Sequence, residues 1–476
     1  MRSIWTSTAS LPSFPHLSED RRTQVCVIGG GLAGILTAYL LRQAGADAVV
    51  LEADRIGGGQ TAGTTAKLTA QHGLKYQKLL RELGPEAAGQ YARANLAAVE
   101  RLRRLVREAD IDCSFTDCTS FLYAAGAPGP LRREYDACRQ LGMDVFLTKQ
   151  TELPFPAEVL GLRGQAMFHP LRLLAALAKG LPIYEHSRVL DVVEGTVRTA
   201  HGSVTADTVI FTCHVPFLNV PGYFFARQHQ ERSYVLALEG APPMENCYLG
   251  VEEDGLSFRS WDRYLLLGGG GHRTGAHPQA SRYEALRAAA HRYWPGCRTA
   301  AVWSAQDCIP MDGVPFIGQY AAGRPRWLVA TGFQKWGMSS SVAAADILSA
   351  MALGRAPVPE AAVFSPQRFR ASASAKQLAG DAACSLQGLG RRFLEPGRRD
   401  VEDLPPGRGG IVEVDGKKLG AYRDPEGQLF LVTPKCPHMG CQLEWNPDEK
   451  SWDCPCHGSR FDVEGRLLDG PAQIHL

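Results

Sequence analysis

Gln24-Val-Cys-Val-Ile-Gly29-Gly30-Gly31-Leu32-Ala33-Gly34 decides how the first part of this chain folds. An apolar, β-prone run enters a glycine cluster, and a helical pattern follows at once in Ile35, Leu36, Ala38, Tyr39, Leu40 and Leu41, ending at Gly45. A second strand, Ala48-Val-Val-Leu-Glu52, completes a βαβ unit. Glu52 stands 18 residues beyond Gly34, so the spacing Gly29-x-Gly31-x-x-Gly34 occurs in the context a dinucleotide site requires. Gly29 permits the tight turn, Gly31 lets backbone approach a pyrophosphate, and Gly34 lets helix and strand pack closely. Leu32 and Ala33 open the helix, whose N-terminal N–H groups and dipole favour phosphate. Glu52, followed by Ala53, would accept hydrogen bonds from the ribose. A glycine-rich turn without a ligand is the competing reading, and the motif alone does not choose between NAD and FAD.

Outward from this unit, apolar spacing predicts helices over about 80–110, Leu171 to Ala178, Ser281 to Tyr293 and Ser340 to Met351. Strands are expected at Val189 to Val193, Val197 to Thr199, Thr208 to Thr212, Tyr264 to Leu267 and from Trp327 into Gly332. From Leu353 to about Asp400 prolines and a mixture of Ala, Ser and Arg read as a linker whose middle, Gln367 to Leu389, is a candidate helix. After Pro405-Pro406-Gly407, short strands broken by Asp-Gly and Asn-Pro turns suggest a small all-β domain.

Over the whole 476 residues, 45% hydrophobic and 21% charged residues describe ordinary globular composition and exclude disorder. The formal charge of +2 gives no concentrated basic field for nucleic acid or a membrane surface. No apolar run reaches the roughly 18 residues of a membrane span. Residues 1–23 lack the apolar core of a signal peptide, so a cytoplasmic location is expected. Of 13 cysteines, nine are scattered singly, whereas Cys436, Cys441, Cys454 and Cys456 crowd into 21 residues. In an intracellular protein such crowding points to metal binding or redox chemistry.

Cys436-Pro-His438-Met-Gly-Cys441 and Cys454-Pro-Cys456-His457-Gly-Ser459 read as C-x-H, 15 residues, then C-x-x-H. Each half offers one thiolate and one imidazole. That suits a [2Fe–2S] cluster with two cysteines on one iron and two histidines on the other, and neutral imidazoles raise its reduction potential. Cys₂His₂ zinc uses the same donors and stays open on ligand types alone.

Two resemblances add to these readings. Residues 1–355 resemble the D-amino-acid-oxidase-like flavoproteins, through the early glycine turn and a second strand-turn-helix, Trp327 to Met351, late in the chain. The resemblance implies an α/β FAD-binding domain of Rossmann, glutathione-reductase-like type with an α+β substrate lobe. It places FAD contacts on Gly57 to Lys67, with Thr64, Thr65, Ala66 and Lys67 foremost. Further contacts fall on Val189, at the strand that pairs with adenine, and on Gly332, Gly337 and Met338 in the late turn. Lys335 and Trp336 would line the flavin. His272 and Arg259 would hold a carboxylate, with His72, Tyr223 and Arg227 as weaker candidates. Simple packing is the alternative for each of these.

About 410–476 resembles Rieske proteins. That likeness implies Cys436 and Cys454 on one iron, His438 and His457 on the other, and a disulfide between Cys441 and Cys456. It also implies a covering loop at Gly470-Pro471 and a Ser459 hydroxyl directed at a bridging sulfide. Phe461 stands where high-potential members carry a tyrosine that donates to a cysteine sulfur, so a lower potential is expected. The resulting division is a flavoprotein over 1–365, its FAD part starting near 23, a linker over 366–400 and a Rieske domain over 401–476.

Together the resemblances imply an FAD-dependent oxidoreductase acting on a small amine- or amino-acid-like substrate. It would pass electrons singly through the cluster to a redox partner protein or other acceptor. No second GxGxxG exists, as Gly268–Gly271 are bunched, which argues against a pyridine nucleotide donor. Tyr264 to Gly269 lacks the lysine that promotes reaction with dioxygen in amine-oxidising relatives, which implies a dehydrogenase. A cluster-first reductase and a redox sensor or electron-transfer protein without substrate turnover are the alternatives.

Overall fold

The computed structural model describes residues 2–276, 281–368 and 401–476. Strand Arg21–Ile28 pairs in parallel with Ala48–Leu51 on one side and Ser203–Phe211 on the other. Ile183–Tyr184 extends the sheet beyond Ala48–Leu51, and Trp327–Thr331 extends it beyond Ser203–Phe211, both in parallel. Phe316–Gln319 adds an antiparallel edge. Parallel strands are covered on both faces, so their runs are continuously apolar; Ala48–Leu51 is buried at every position. Helices Leu32–Gln43 and Gly337–Ala352 share the core on one face, through Leu36, Ala38, Val342 and Ala345.

A second, mixed sheet forms the other lobe. Its order is Arg298–Pro310, Gln228–Glu239, Tyr264–Arg273, Ser257–Trp261, Cys247–Gly250, Thr116–Ala124, Glu158–Met167 and Lys67–Leu68. Val145–Thr148 also pairs with Glu158–Met167. The C-terminal domain holds two small antiparallel sheets, one over Arg408–Val414, Lys417–Arg423 and Leu429–Val432, the other over Glu444–Asn446, Ser451–Asp453, Arg460–Phe461 and Leu467–Asp469.

Several elements differ from expectation. The helix expected over 80–110 runs Tyr76–Glu108 and breaks at Gly84, whose φ of 83° only glycine adopts easily. Pro85 follows it, lacking the N–H that would continue the ladder. Val189 precedes its strand, which is Asp191–Val193. The strand from Tyr264 continues through the glycine run to Arg273, because its neighbour Gln228–Glu239 supplies partners along its whole length. The candidate helix Gln367 to Leu389 lies outside the described residues from 369 onward. Residues ahead of the first strand are built into the fold: Trp5 is fully buried and its indole N–H donates to the Thr64 carbonyl at 2.7 Å.

Candidate functional site

A cavity of about 720 Å³ opens where the first sheet meets the second. One end is the glycine turn: Gly29, Gly31, Leu32 and Ala33 line it, with Glu52 and Ala53 beside them. Gly34 does not line the cavity, but a Cβ there would collide with the Gly29 carbonyl oxygen, so only glycine lets the helix sit this close. The Glu52 carboxylate accepts the Gly30 N–H at 2.6 Å and the Asp54 N–H at 2.9 Å, and burial raises its pKa. Thr64, Thr65, Lys67, Val189, Gly332, Gly337 and Met338 reach the same cavity from three separate stretches. Ala66 is buried behind it.

At the other end the second sheet supplies Lys67, Ser120, Cys247, Ser257 and Asp307, and the turn after Trp327–Thr331 adds Lys335. Burial brings the Lys67 ammonium down to about 8, and it donates to Ser257 Oγ at 3.2 Å. Lys335 Nζ lies 3.3 Å from Glu231 Oε2, and Trp336 stacks on His72 at 4.6 Å between ring centroids. Asp307, which the sequence reading missed, faces the cavity with Ser233 Oγ donating to it at 3.2 Å; burial raises its carboxyl to about 6.

The crowded cysteines form a second centre built from two similar loops. Cys436 N–H donates to the Cys441 carbonyl and Gly440 N–H returns to the Cys436 carbonyl; Cys454, Ser459 and Gly458 repeat both bonds. Gly440 and Gly458 have φ of 79° and 80°, the left-handed conformation that closes each loop. The Cys436 and Cys454 thiols are in hydrogen-bonding contact, and the His438 and His457 rings lie 5.0 Å apart. Nδ1 of each histidine is buried without a hydrogen-bond partner. Two sulfurs and two unsatisfied ring nitrogens turned to one place fit a two-iron cluster. Cys441 and Cys456 are joined by a disulfide that ties the loops together. Ser459 is fully buried, its Oγ accepting the Ala472 N–H at 3.0 Å and its hydroxyl helping to lower the pKa of the Cys436 thiol.

Residues 24–351 match the model of the FAD-dependent oxidoreductase family, and 398–476 match that of the Rieske [2Fe–2S] domain. This chain belongs to the FAD-dependent oxidoreductases and carries a C-terminal Rieske domain. It binds FAD and a [2Fe–2S] cluster, which decides against zinc at the second centre. A Bacillus subtilis protein named for its Rieske 2Fe-2S character, YhfW, is 36% identical over 98% of this chain and 95% of its own length. An iron-sulfur subunit of a Nostoc cytochrome b6-f complex is 29% identical over 24% of this chain and 65% of its own. Glycine oxidase from Geobacillus kaustophilus shares the fold of the flavoprotein part with a TM-score of 0.62 at 19% identity, covering 73% of this chain and 99% of that one. L-Proline dehydrogenase from P. horikoshii gives 0.61 at 16%, covering 74% and 98%. Among the described residues no helix is long and apolar enough to cross a membrane.

The Rieske domain is seated on the flavoprotein with its histidines facing inward. Phe225 meets both rings edge-on, at 5.0 Å from His438 and 5.2 Å from His457, and His438 Nε2 lies 3.2 Å from Asn219 Oδ1. Leu468, Asp469, Gly470, Ala472 and Gln473 of the Rieske domain line the flavin cavity. Gln306, on the cavity wall, donates to the Gly458 carbonyl at 2.9 Å, one residue from His457. A buried ion network fastens the seat: Glu449 pairs with Arg232 of the flavoprotein at 2.6 Å and with Arg460 at 3.4 Å, and Arg460 also pairs with Asp453 at 3.0 Å.

Other expected substrate contacts are placed elsewhere. His272 does not line the cavity; its ring stacks on Tyr234 and its Nδ1 meets the Gly270 carbonyl. Arg259 is buried beneath the flavin loop, donating to the carbonyls of Thr65, Ala66 and Phe168. His72 bonds Tyr91, Thr69 and Ser339. Arg227 lies over the Phe316 ring and donates to the Pro366 carbonyl, and Tyr223 is half exposed at the surface.

Proposed function

We propose that this chain is a dehydrogenase of a small amine or amino-acid-like substrate that passes the electrons singly through its own Rieske cluster to an external acceptor. The observation that carries the reading is the shared wall: Leu468, Asp469, Gly470, Ala472 and Gln473 of the Rieske domain line the flavin cavity, and Gln306 links that wall to the loop bearing His457. When bound, the flavin takes two electrons with hydrogen from a C–H bond, and the cluster exchanges one electron at a time. Cys436 and Cys454 would hold one iron, and Nδ1 of His438 and His457 the other, leaving their Nε2 edges toward Asn219 and Phe225.

An amine must lose its ammonium proton before its C–H bond is oxidised. Asp307 supplies an acceptor of suitable pKa in the cavity wall, whereas the Glu231 carboxylate is already engaged by Lys335 and His229. Lys335 in turn presents a cation at the cavity edge for a substrate carboxylate. The strand Tyr264–Arg273 carries no lysine, which favours electron exit through the cluster over reaction with dioxygen. Two fold neighbours, a glycine oxidase and an L-proline dehydrogenase, are named for substrates of the same class. We place the division at 1–365, 366–400 and 401–476, supported by the family matches at 24–351 and 398–476.

Anaerobic mixing with a panel of amines and amino acids tests the reading. Bleaching of the flavin absorbance followed by the electron paramagnetic resonance signal of the reduced cluster is expected. Bleaching by a reduced ferredoxin-type donor and by no amine would replace the proposal with a cluster-first reductase.

A further inference from the structure

Away from the cluster, two thiols meet at the substrate end of the flavin cavity. Cys118 lies on strand Thr116–Ala124 and Cys247 on the adjacent parallel strand Cys247–Gly250. Cys247 is in register with Ser120, so Cys118, two residues earlier, projects from the same face. Their side chains are in hydrogen-bonding contact. Cys247 is buried yet lines the cavity, and Cys118 is half-buried. Lys67 and Arg259 place two cations close to Cys247. The hydrogen bond from Cys118, with Lys67 in support, holds the Cys247 thiol below the ordinary thiol range, and the same bond, with burial, raises Cys118. Cys26 and Cys138 differ: each is buried in apolar core and pushed upward by burial, which makes it inert.

We propose that Cys118 and Cys247 form a redox-active dithiol–disulfide pair in the wall of the flavin cavity, closed by exchange with a small-molecule disulfide. Cys247 is the attacking thiolate. Its sulfur displaces one thiol from the small disulfide and forms a mixed disulfide. Cys118, losing its proton to solvent, then attacks the Cys247 sulfur and releases the second thiol. One S–S bond is broken in the small molecule and one is formed in the protein, so the dithiol loses two electrons and the small disulfide gains them. Closure pins two strands of the substrate lobe together and removes the sulfur anion facing Lys67.

The holoprotein is incubated with oxidised glutathione at graded ratios to reduced glutathione, quenched with acid, alkylated after denaturation and digested for mass spectrometry. A cross-linked peptide pair joining Cys118 to Cys247 is expected, with loss of both alkylation sites and full recovery after dithiothreitol, while Cys26 and Cys138 stay alkylated throughout. Cys118→Ser is expected to trap a stable glutathione adduct on Cys247, and Lys67→Met to slow closure at least tenfold. Full alkylation of both cysteines at every ratio would overturn the proposal, as would a glutathione adduct stable on the wild-type pair.

Discussion

The two cofactor sites are built in opposite ways. The proposed cluster donors lie within 436–457, on two copies of one backbone pattern with a disulfide between them. The flavin cavity draws on stretches from Ile28 to Gln473, and no single stretch would hold the cofactor. A compact site depends on a few atoms and is lost at one stroke. A dispersed site distributes binding, so single changes alter what it does more than whether it forms.

His457→Ala is therefore expected to have the largest effect: the cluster's visible absorbance and resonance signal disappear while flavin content stays at one per chain. Loss of flavin as well would show that the two sites are not separable. Asp307→Asn should keep both cofactors and lower kcat/KM for the amine by about 10²–10⁴-fold, the usual contribution of a positioned base. In the wild type, kcat/KM should fall as pH drops through about 6, because the raised carboxyl is then protonated and cannot accept the ammonium proton; the variant should lack that limb. A limb that persists in the variant would assign the proton to another group.

Glu449→Ala probes the seat between the two sites. It leaves Arg232 and Arg460 buried without their shared partner, a loss of about 3–5 kcal/mol for breaking a buried pair. Denaturant unfolding followed separately at flavin and cluster should then show two transitions in place of one. The smallest change is Phe461→Tyr. A hydroxyl donating to a cluster sulfur is worth about 1.5–3 kcal/mol, which raises a one-electron potential by on the order of 100 mV. An unmoved potential would remove the explanation for a lower-potential cluster.

The same contrast explains what could be read in the sequence. The two cysteine-histidine loops and the glycine turn were legible because their spacing is local: loop and turn geometry dictate residue type at fixed offsets. The substrate end was not. Asp307 becomes a cavity residue only through the pairing of Arg298–Pro310 with Gln228–Glu239, and strand register over such separations leaves no local trace. Gln228-His-Gln-Glu-Arg-Ser233 is too polar to read as a buried strand. It is polar because Gln230 meets the loop at Gly458, Arg232 meets Glu449 and Ser233 lines the cavity. His272 misled for a related reason, since histidine beside a glycine run resembles a site, while the continuing strand turns its ring onto Tyr234.

The wall formed by 468–473 has a consequence for biogenesis. Those residues leave the ribosome long after Gly29–Gly34, so a nascent flavoprotein lobe presents a more open cleft until the Rieske domain folds and docks. The expected order of cofactor loading is therefore FAD first, before the Rieske domain covers that wall.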